Sequence, residues 1–252
     1  MNSLSKIIIN ECNKSEISIS LETGIQLEKY IGLLNNWNQY MDLTSVTNIN
    51  EIISRHIIDS LSPIASKIDL LPKGVSIIDI GSGAGLPGIP LAIARPDISV
   101  TLLDSQKKRV NFLNTVINDI SLKNVKTVHG RAEDIAILPE YKEFYDIATA
   151  RAVAPLNVLL EYLMPYVKIG GFALCWKGPS VDKEWLDGEY SAANLGGSLE
   201  VPIEANRFNN EYSLKLIRCT KTYPLPPQFP RKAGMAKKRP LLNNRINSKD
   251  SK

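Results

Sequence analysis

The chain has 252 residues, 44% of them hydrophobic, and a formal net charge of +4. That length and composition fit one large α/β domain with appendages and supply a full core. Cys12, Cys175 and Cys219 are far apart and odd in number. They offer neither a disulfide framework nor a metal-ligand spacing, so no metal is expected and a reducing cytosol suits them. No apolar run reaches the roughly 18 residues of a membrane span, and the start lacks the pattern of a signal peptide. A cytoplasmic protein with no membrane partner is expected.

The first 70 residues read as helical. Leu21, Ile25, Leu27, Ile31, Leu34 and Trp37 recur near helical spacing, and Ile52, Ile53, His56, Ile57 and Leu61 mark a second helix over 50–68. Met41-Asp42-Leu43-Thr44 breaks the two. From Val75 the pattern shifts to short apolar strands: 75–80, 98–103, 124–129, 144–150 and 172–176. Helices over 107–119 and 156–167 alternate with them, and Gly170-Gly171 reads as a turn. The late segments 198–203 and 213–220 predict antiparallel partners.

Alternating strands and helices imply a mainly parallel sheet with helices on both faces. Three segments follow: a helical N-terminal extension (1–70), an α/β core (71–222) and a basic C-terminal arm (223–252). Residues 218–252 hold ten Lys or Arg against one acid, Asp250, leaving 20 basic and 25 acidic residues elsewhere. Such sign asymmetry points to a polyanionic partner. Pro and Gly in the arm suggest an irregular, extended segment.

The segment Asp79-Ile80-Gly81-Ser82-Gly83-Ala84-Gly85-Leu86-Pro87-Gly88 follows a strand and opens a helix. Glycines there permit a tight turn and close approach of a ligand. A P-loop is excluded because Ile89-Pro90 stands where Lys and Ser/Thr are required. A dinucleotide site remains open, since Gly83 to Gly88 matches G-x-G-x-x-G and Asp104 lies at a fitting distance for a ribose hydroxyl. S-adenosylmethionine (AdoMet) accounts for more of the residues. Asp79 stands before the first glycine, where a carboxylate organises the loop near a cationic ligand. Asp104 ends the second strand, where its two oxygens can take both ribose hydroxyls. Gly130 to Asp134 follow the third strand, where an adenine edge would lie. All sit at the carboxyl ends of adjacent strands, the usual site in an open α/β sheet.

These residues resemble the bacterial small-subunit ribosomal RNA guanine-N7 methyltransferase family, also called glucose-inhibited division protein B. The resemblance runs in order through Trp37-Asn38, Leu43-Thr44, His56 with Asp59-Ser60-Leu61, and Asp79 to Pro90. It continues through Leu103-Asp104-Ser105, Lys108-Arg109, Phe112-Leu113, Gly130 to Glu133 and Ala150 to Val153. Lys177-Gly178 and Pro230 to Gly234 complete it. Asp42 departs from it, because the family usually has Asn before Leu-Thr. The resemblance implies a Rossmann-like AdoMet-dependent methyltransferase fold, with a mainly parallel seven-stranded sheet and a final antiparallel strand. It further implies 16S rRNA or the small ribosomal subunit as partner. Carried over residue by residue, it puts cofactor contacts at Gly81, Leu86, Asp104, Ala132, Glu133 and Arg151. With Asp79, Ser82, Gly83 and Gly85 from the loop, these form the expected cofactor site.

Guanine N7 has a lone pair and no proton, so alignment can replace a strong base, and no catalytic acid or base is assigned. A cysteine nucleophile is not expected, since Cys175 and Cys219 fall in apolar strands. Arg151 can position the methionine carboxylate, an RNA phosphate or the guanine edge; an ion pair with Asp79 or Glu133 is the structural alternative. His56 and His129 read as core histidines. Lys107, Lys108 and Arg109 open a helix near the cofactor mouth and suit RNA phosphates. Arg231, Lys232, Lys237, Lys238 and Arg239 suit an arm tracking phosphates. An oxidoreductase is weakened by the lack of any His after His129 and of a Tyr-x-x-x-Lys pair. A non-catalytic RNA-binding module and a methyltransferase with another acceptor stay open. A monomer is the default expectation.

Overall fold

The computed structural model describes residues 3–151, 153–205 and 213–243. Among these residues, eight strands form one sheet: β1 (Ser76–Ile80), β2 (Ser99–Asp104), β3 (Val125–His129), β4 (Tyr145–Arg151), β5 (Val167–Lys177), β6 (Gly197–Leu199), β7 (Ile203–Ala205) and β8 (Leu214–Lys221). Their order is β3-β2-β1-β4-β5-β8-β6, and β7 also pairs with β8. β1 to β5 are mutually parallel, and β8 runs antiparallel to its neighbours on both sides. The sheet therefore has seven positions, with the last shared by two short strands. β6 pairs with the Lys221 end of β8 and β7 with the Leu214 end. Pro202 lies between them and has no N–H for a ladder bond, which accounts for the break.

Period-2 alternation divides the strand side chains between two cores. Ile77, Ile147, Phe172, Leu174 and Trp176 face one side, with the helices Gly88–Ala94 and Lys107–Ile120 and the N-terminal helices. Ile78, Ile80, Ala148, Ala173 and Cys175 face the other, with the helices Leu156–Leu163 and Trp185–Asn194. Residues 3–70 thus share one core with the sheet. The helix Leu21–Asn38 starts where Ser20 Oγ accepts from Thr23 N–H. The second helical stretch is composite. It runs Ile49–Glu51, then seven π-helical residues (Ile52–Ile58), then Asp59–Leu61 and a 3-10 turn to Ile64.

The strand expected over 198–203 is split into β6 and β7, the helix expected over 50–68 ends at Ile64, and three further local expectations change. Helix 156–167 stops at Leu163, with Pro165 closing it. Gly170-Gly171 is no turn between elements but part of β5, which starts at Val167. Gly170 has φ +83°, and the β4–β5 register shifts between Tyr145 and Ile147. A Cβ on Gly171 would sit 2.4 Å from Asp146 O, so glycine lets the bulged strand lie against β4. The third change concerns the C-terminal segment, which is strapped to the body as far as residue 243. Leu225, Phe229 and Ala236 are buried in the second core, and Met235–Lys238 form a helical turn. Asn157 Nδ2 donates to Leu241 O at 2.8 Å, and Asn243 N–H to Asp187 Oδ1 at 2.8 Å. Apolar residues spaced between prolines anchor a segment whose composition alone reads as an arm. The expectation for 244–252 lies outside the described residues.

Candidate cofactor and RNA site

The site forms at the carboxyl ends of β1 to β4. Gly81, Gly83 and Gly85 have φ of +69°, +56° and +89°, a region costly for side-chain-bearing residues. Gly81 and Ser82 N–H both donate to Leu103 O, and Ser82 Oγ donates to Asp79 O at 2.8 Å. A Cβ at Gly85 would meet Ile89 Cγ1 at 2.5 Å. Leu86, half-buried, completes the turn into the next helix.

Asp104 is 2% exposed. Its Oδ2 accepts from Gly83 N–H at 2.9 Å and its Oδ1 from Gln106 N–H at 2.8 Å. Both oxygens are thus already engaged in shaping the loop, and each keeps one further lone pair for a ribose hydroxyl. Arg109 Nη1 stands 3.7 Å from Asp104 Oδ2, so this guanidinium is held beside the glycine loop by an acid. Lys107 and Lys108 are exposed beside it.

Asp79 is fully buried. Oδ2 accepts from Gly88 N–H at 3.1 Å, while Oδ1 has no hydrogen-bond partner among the described residues. Burial pushes its carboxyl up to about 7, against the lowering pull of Gly88 N–H, Ser82 and Arg151; Asp104 adds to the rise. An orphaned buried carboxylate oxygen beside a glycine cradle fits a cationic ligand such as AdoMet. In the loop after β3, Gly130 N–H donates to Asp104 O, and Tyr166 Oη donates to Ala132 O at 2.5 Å. Glu133 Oε1 accepts from Gly234 N–H at 2.7 Å, tying this loop to the C-terminal strap.

Arg151 ends β4. Its Nη2 lies 3.7 Å from Asp59 Oδ2. The partner seen here is neither of the two acids that the sequence suggests, Asp79 and Glu133, but one from the N-terminal extension. Trp176 Nε1, across the β4–β5 register, donates to Asp59 O at 2.6 Å. His56 is a buried core histidine as expected. Its Nε2 meets Thr44 Oγ1 at 2.7 Å, and burial, then the Arg151 charge, lower its pKa to about 4. Asn38 braces the loop that carries Thr44, accepting from Leu43 and Thr44 N–H and donating to Thr44 O. His129, by contrast, is exposed, with Nε2 at 3.1 Å from Ser105 O.

Sequence reasoning missed Tyr30 and Tyr166. Tyr30 Oη donates to Ala84 O at 2.8 Å, fastening the N-terminal helix to the glycine loop. It sits in an apolar helical stripe where nothing distinguishes it from packing. Cys175 and Cys219 are buried, which raises the Cys175 thiol strongly and the Cys219 thiol to about 12, so neither is a ready nucleophile.

Of the five C-terminal cations, Arg231 requires correction. Its Nε and Nη2 donate to both oxygens of Glu161, at 2.6 and 2.5 Å, and Glu161 is buried. A guanidinium held bidentate by a buried carboxylate anchors the strap and is not available as a phosphate contact. Lys232, Lys237, Lys238 and Arg239 are exposed, with no ion pair among the described residues. They stand on a fixed strap, not on an extended arm. No described helix is long and apolar enough to cross a membrane.

A family model described as rRNA small subunit methyltransferase G (GidB) matches residues 24–205. Ribosomal RNA small subunit methyltransferase G of Clostridium perfringens strain 13 is 46% identical over 84% of this chain and 88% of its own. The same-named protein of Clostridium novyi is 41% identical over 96% of this chain and 100% of its own. Among solved structures, the [4+2]-cyclase SpnF superposes with a TM-score of 0.52 at 13% identity, covering 80% of this chain and 96% of that one, a likeness of fold alone. Matched over most of its length by the family model and by close relatives, the chain belongs to the rRNA small subunit methyltransferase G family.

Proposed function

We propose that this chain transfers a methyl group from AdoMet to N7 of a guanine in 16S ribosomal RNA. One observation carries the reading: in a member of this family, the glycine loop is closed by Asp104 while a buried oxygen of Asp79 is left for a cationic ligand. AdoMet, when bound, supplies an electrophilic methyl group on a sulfonium. Gly81, Ser82, Gly83, Gly85 and Leu86 shape the cradle. Asp79 offers an acceptor to positive charge, Asp104 offers its remaining lone pairs to ribose hydroxyls, and Ala132 with Glu133 borders the adenine. Arg151 lies at the end of β4, next to the cofactor strands, and positions the acceptor. Guanine N7 needs no deprotonation, so in-line alignment is the main demand, worth up to about 7–11 kcal/mol in favourable cases.

Lys107, Lys232, Lys237, Lys238 and Arg239 supply phosphate contacts, and a monomer in the cytoplasm is the working unit. The test is methyl transfer from labelled AdoMet to small ribosomal subunits lacking the modification, with free 16S rRNA alongside. Label recovered in 7-methylguanosine supports the reading. Measurable AdoMet binding with no label in RNA overturns the acceptor.

A further inference from the structure

We infer that Asp59, a residue of the N-terminal helical extension, is the positioning residue that fixes Arg151 for methyl transfer. The inference rests on the proposed RNA methyltransferase function. Asp59 is 3% exposed, and the Arg151 side chain 17%. A buried carboxylate is costly unless a cation and hydrogen bonds compensate it, so its burial beside an arginine at the carboxyl end of β4 fits an orienting role better than a packing one. The Oδ2–Nη2 distance of 3.7 Å is that of a charge pair, looser than a close hydrogen bond.

Asp59 is itself held from several directions. Its N–H donates to His56 O, and its carbonyl accepts from Trp176 Nε1 at 2.6 Å and from Ser62 Oγ at 2.7 Å. It directly follows the π-helical turn Ile52–Ile58, a widened geometry often found where a helix presents functional side chains. Trp176 belongs to β5 and is the register partner of Arg151. Acid and arginine are therefore both referenced to the same two strands. An arginine with four rotatable side-chain bonds gains a defined direction only from such a partner.

Charge gives Asp59 a second task. In the transfer, the N7 lone pair forms the bond to the methyl carbon, and the pair of the breaking S–C bond stays on sulfur. Positive charge thus moves from the sulfonium to the guanine ring, and no proton is exchanged. A guanidinium without a counter-charge near the acceptor would oppose that movement. Arg151 pairs with Asp59, and its charge is felt by Asp79, by the Tyr30 hydroxyl and by His56, which is neutral near pH 7. Among the described residues, Asp79 lies on the glycine loop, and Asp59 supplies a counter-charge on the side of the extension.

The test compares D59N, D59E, R151Q and the double variant D59N/R151Q. Methyl transfer to small subunits, AdoMet affinity by calorimetry and thermal melting are measured for each. D59N should lower kcat by about 10- to 100-fold, the loss expected for misplacement near a reacting centre, with AdoMet Kd within about twofold. D59E should recover part of the rate. The double variant should be no slower than R151Q, because Asp59 acts through Arg151. If D59N fails to fold, the neutral pair in the double variant still decides against R151Q. A D59N rate equal to wild type overturns the inference, as does a double variant much slower than R151Q, or a loss explained wholly by AdoMet affinity. Wild-type protein that labels no RNA defeats the functional reading itself, a separate result.

Discussion

The glycine loop and the C-terminal segment are both built from Gly, Pro and charge, yet only the loop was legible locally. In the loop, the backbone must take positive φ at Gly81, Gly83 and Gly85, so residue type and conformation are tied position by position. In the C-terminal segment, composition suggests an irregular basic arm, but Leu225, Phe229 and Ala236 enter the core and Arg231 seats on Glu161. A turn is specified by adjacent residues. A strap is specified by partners about 70 residues away, which no local pattern reveals.

The largest effect that would break this comparison lies at Glu161. Glu161→Ala removes the buried partner of Arg231 and should destabilise the protein by about 3 kcal/mol, the lower part of the range for breaking a buried pair, since Arg231 is partly exposed. Denaturant unfolding measures this. A change below about 0.5 kcal/mol, the size of an ordinary surface substitution, would mean the strap is not anchored there. Next is Asp104→Ala, which strips the acceptor from Gly83 and Gln106 N–H and any ribose contact. AdoMet affinity should fall about 100-fold, equivalent to about 2.7 kcal/mol, by calorimetry. Unchanged affinity would remove Asp104 from the cofactor site.

Asp79 sharpens the same contrast through pH. Its carboxyl is raised from 3.8 to about 7 by burial. Above pH 7 it is ionised in both folded and unfolded states and burdens the fold. As pH falls from about 7 toward 3.8, the folded state takes up the proton first, so this group's contribution to stability rises. His56 acts oppositely, since its pKa is lowered from 6.5 to about 4, and its contribution falls as pH drops below 6.5. Asp79→Asn should therefore raise the stability of the ligand-free protein at pH 8 by about 1–2 kcal/mol while weakening AdoMet binding. Lower stability at pH 8 would show that the carboxylate is compensated, contrary to its orphaned Oδ1.

Legibility follows the range of the determining contacts. The strands over 76–80, 99–104 and 125–129, with their acids at the strand ends, follow from short apolar runs and turn chemistry. The helix Trp185–Asn194 carries mixed residues with no clear stripe and goes unseen. Arg151 could be singled out, but its Asp59 partner is 92 positions upstream, on an element whose periodicity speaks only of packing. Tyr30 likewise reads as core until Ala84 O is placed against its hydroxyl.

The smallest expected effect separates the cations of the strap by kind. Neutralising Lys232, Lys237, Lys238 and Arg239 touches no ion pair among the described residues, so the melting temperature should stay within about 2 °C, as for surface substitutions. RNA affinity should fall, and the slope of log K against log salt should flatten by up to about 3, near 0.7–0.9 per lost phosphate contact. Arg231→Gln should do the reverse, lowering the melting temperature while leaving the slope unchanged, because Glu161 already occupies its guanidinium. A flattened slope from Arg231→Gln alone, at unchanged stability, would return Arg231 to the RNA face and reduce the strap to the arm that its composition suggests.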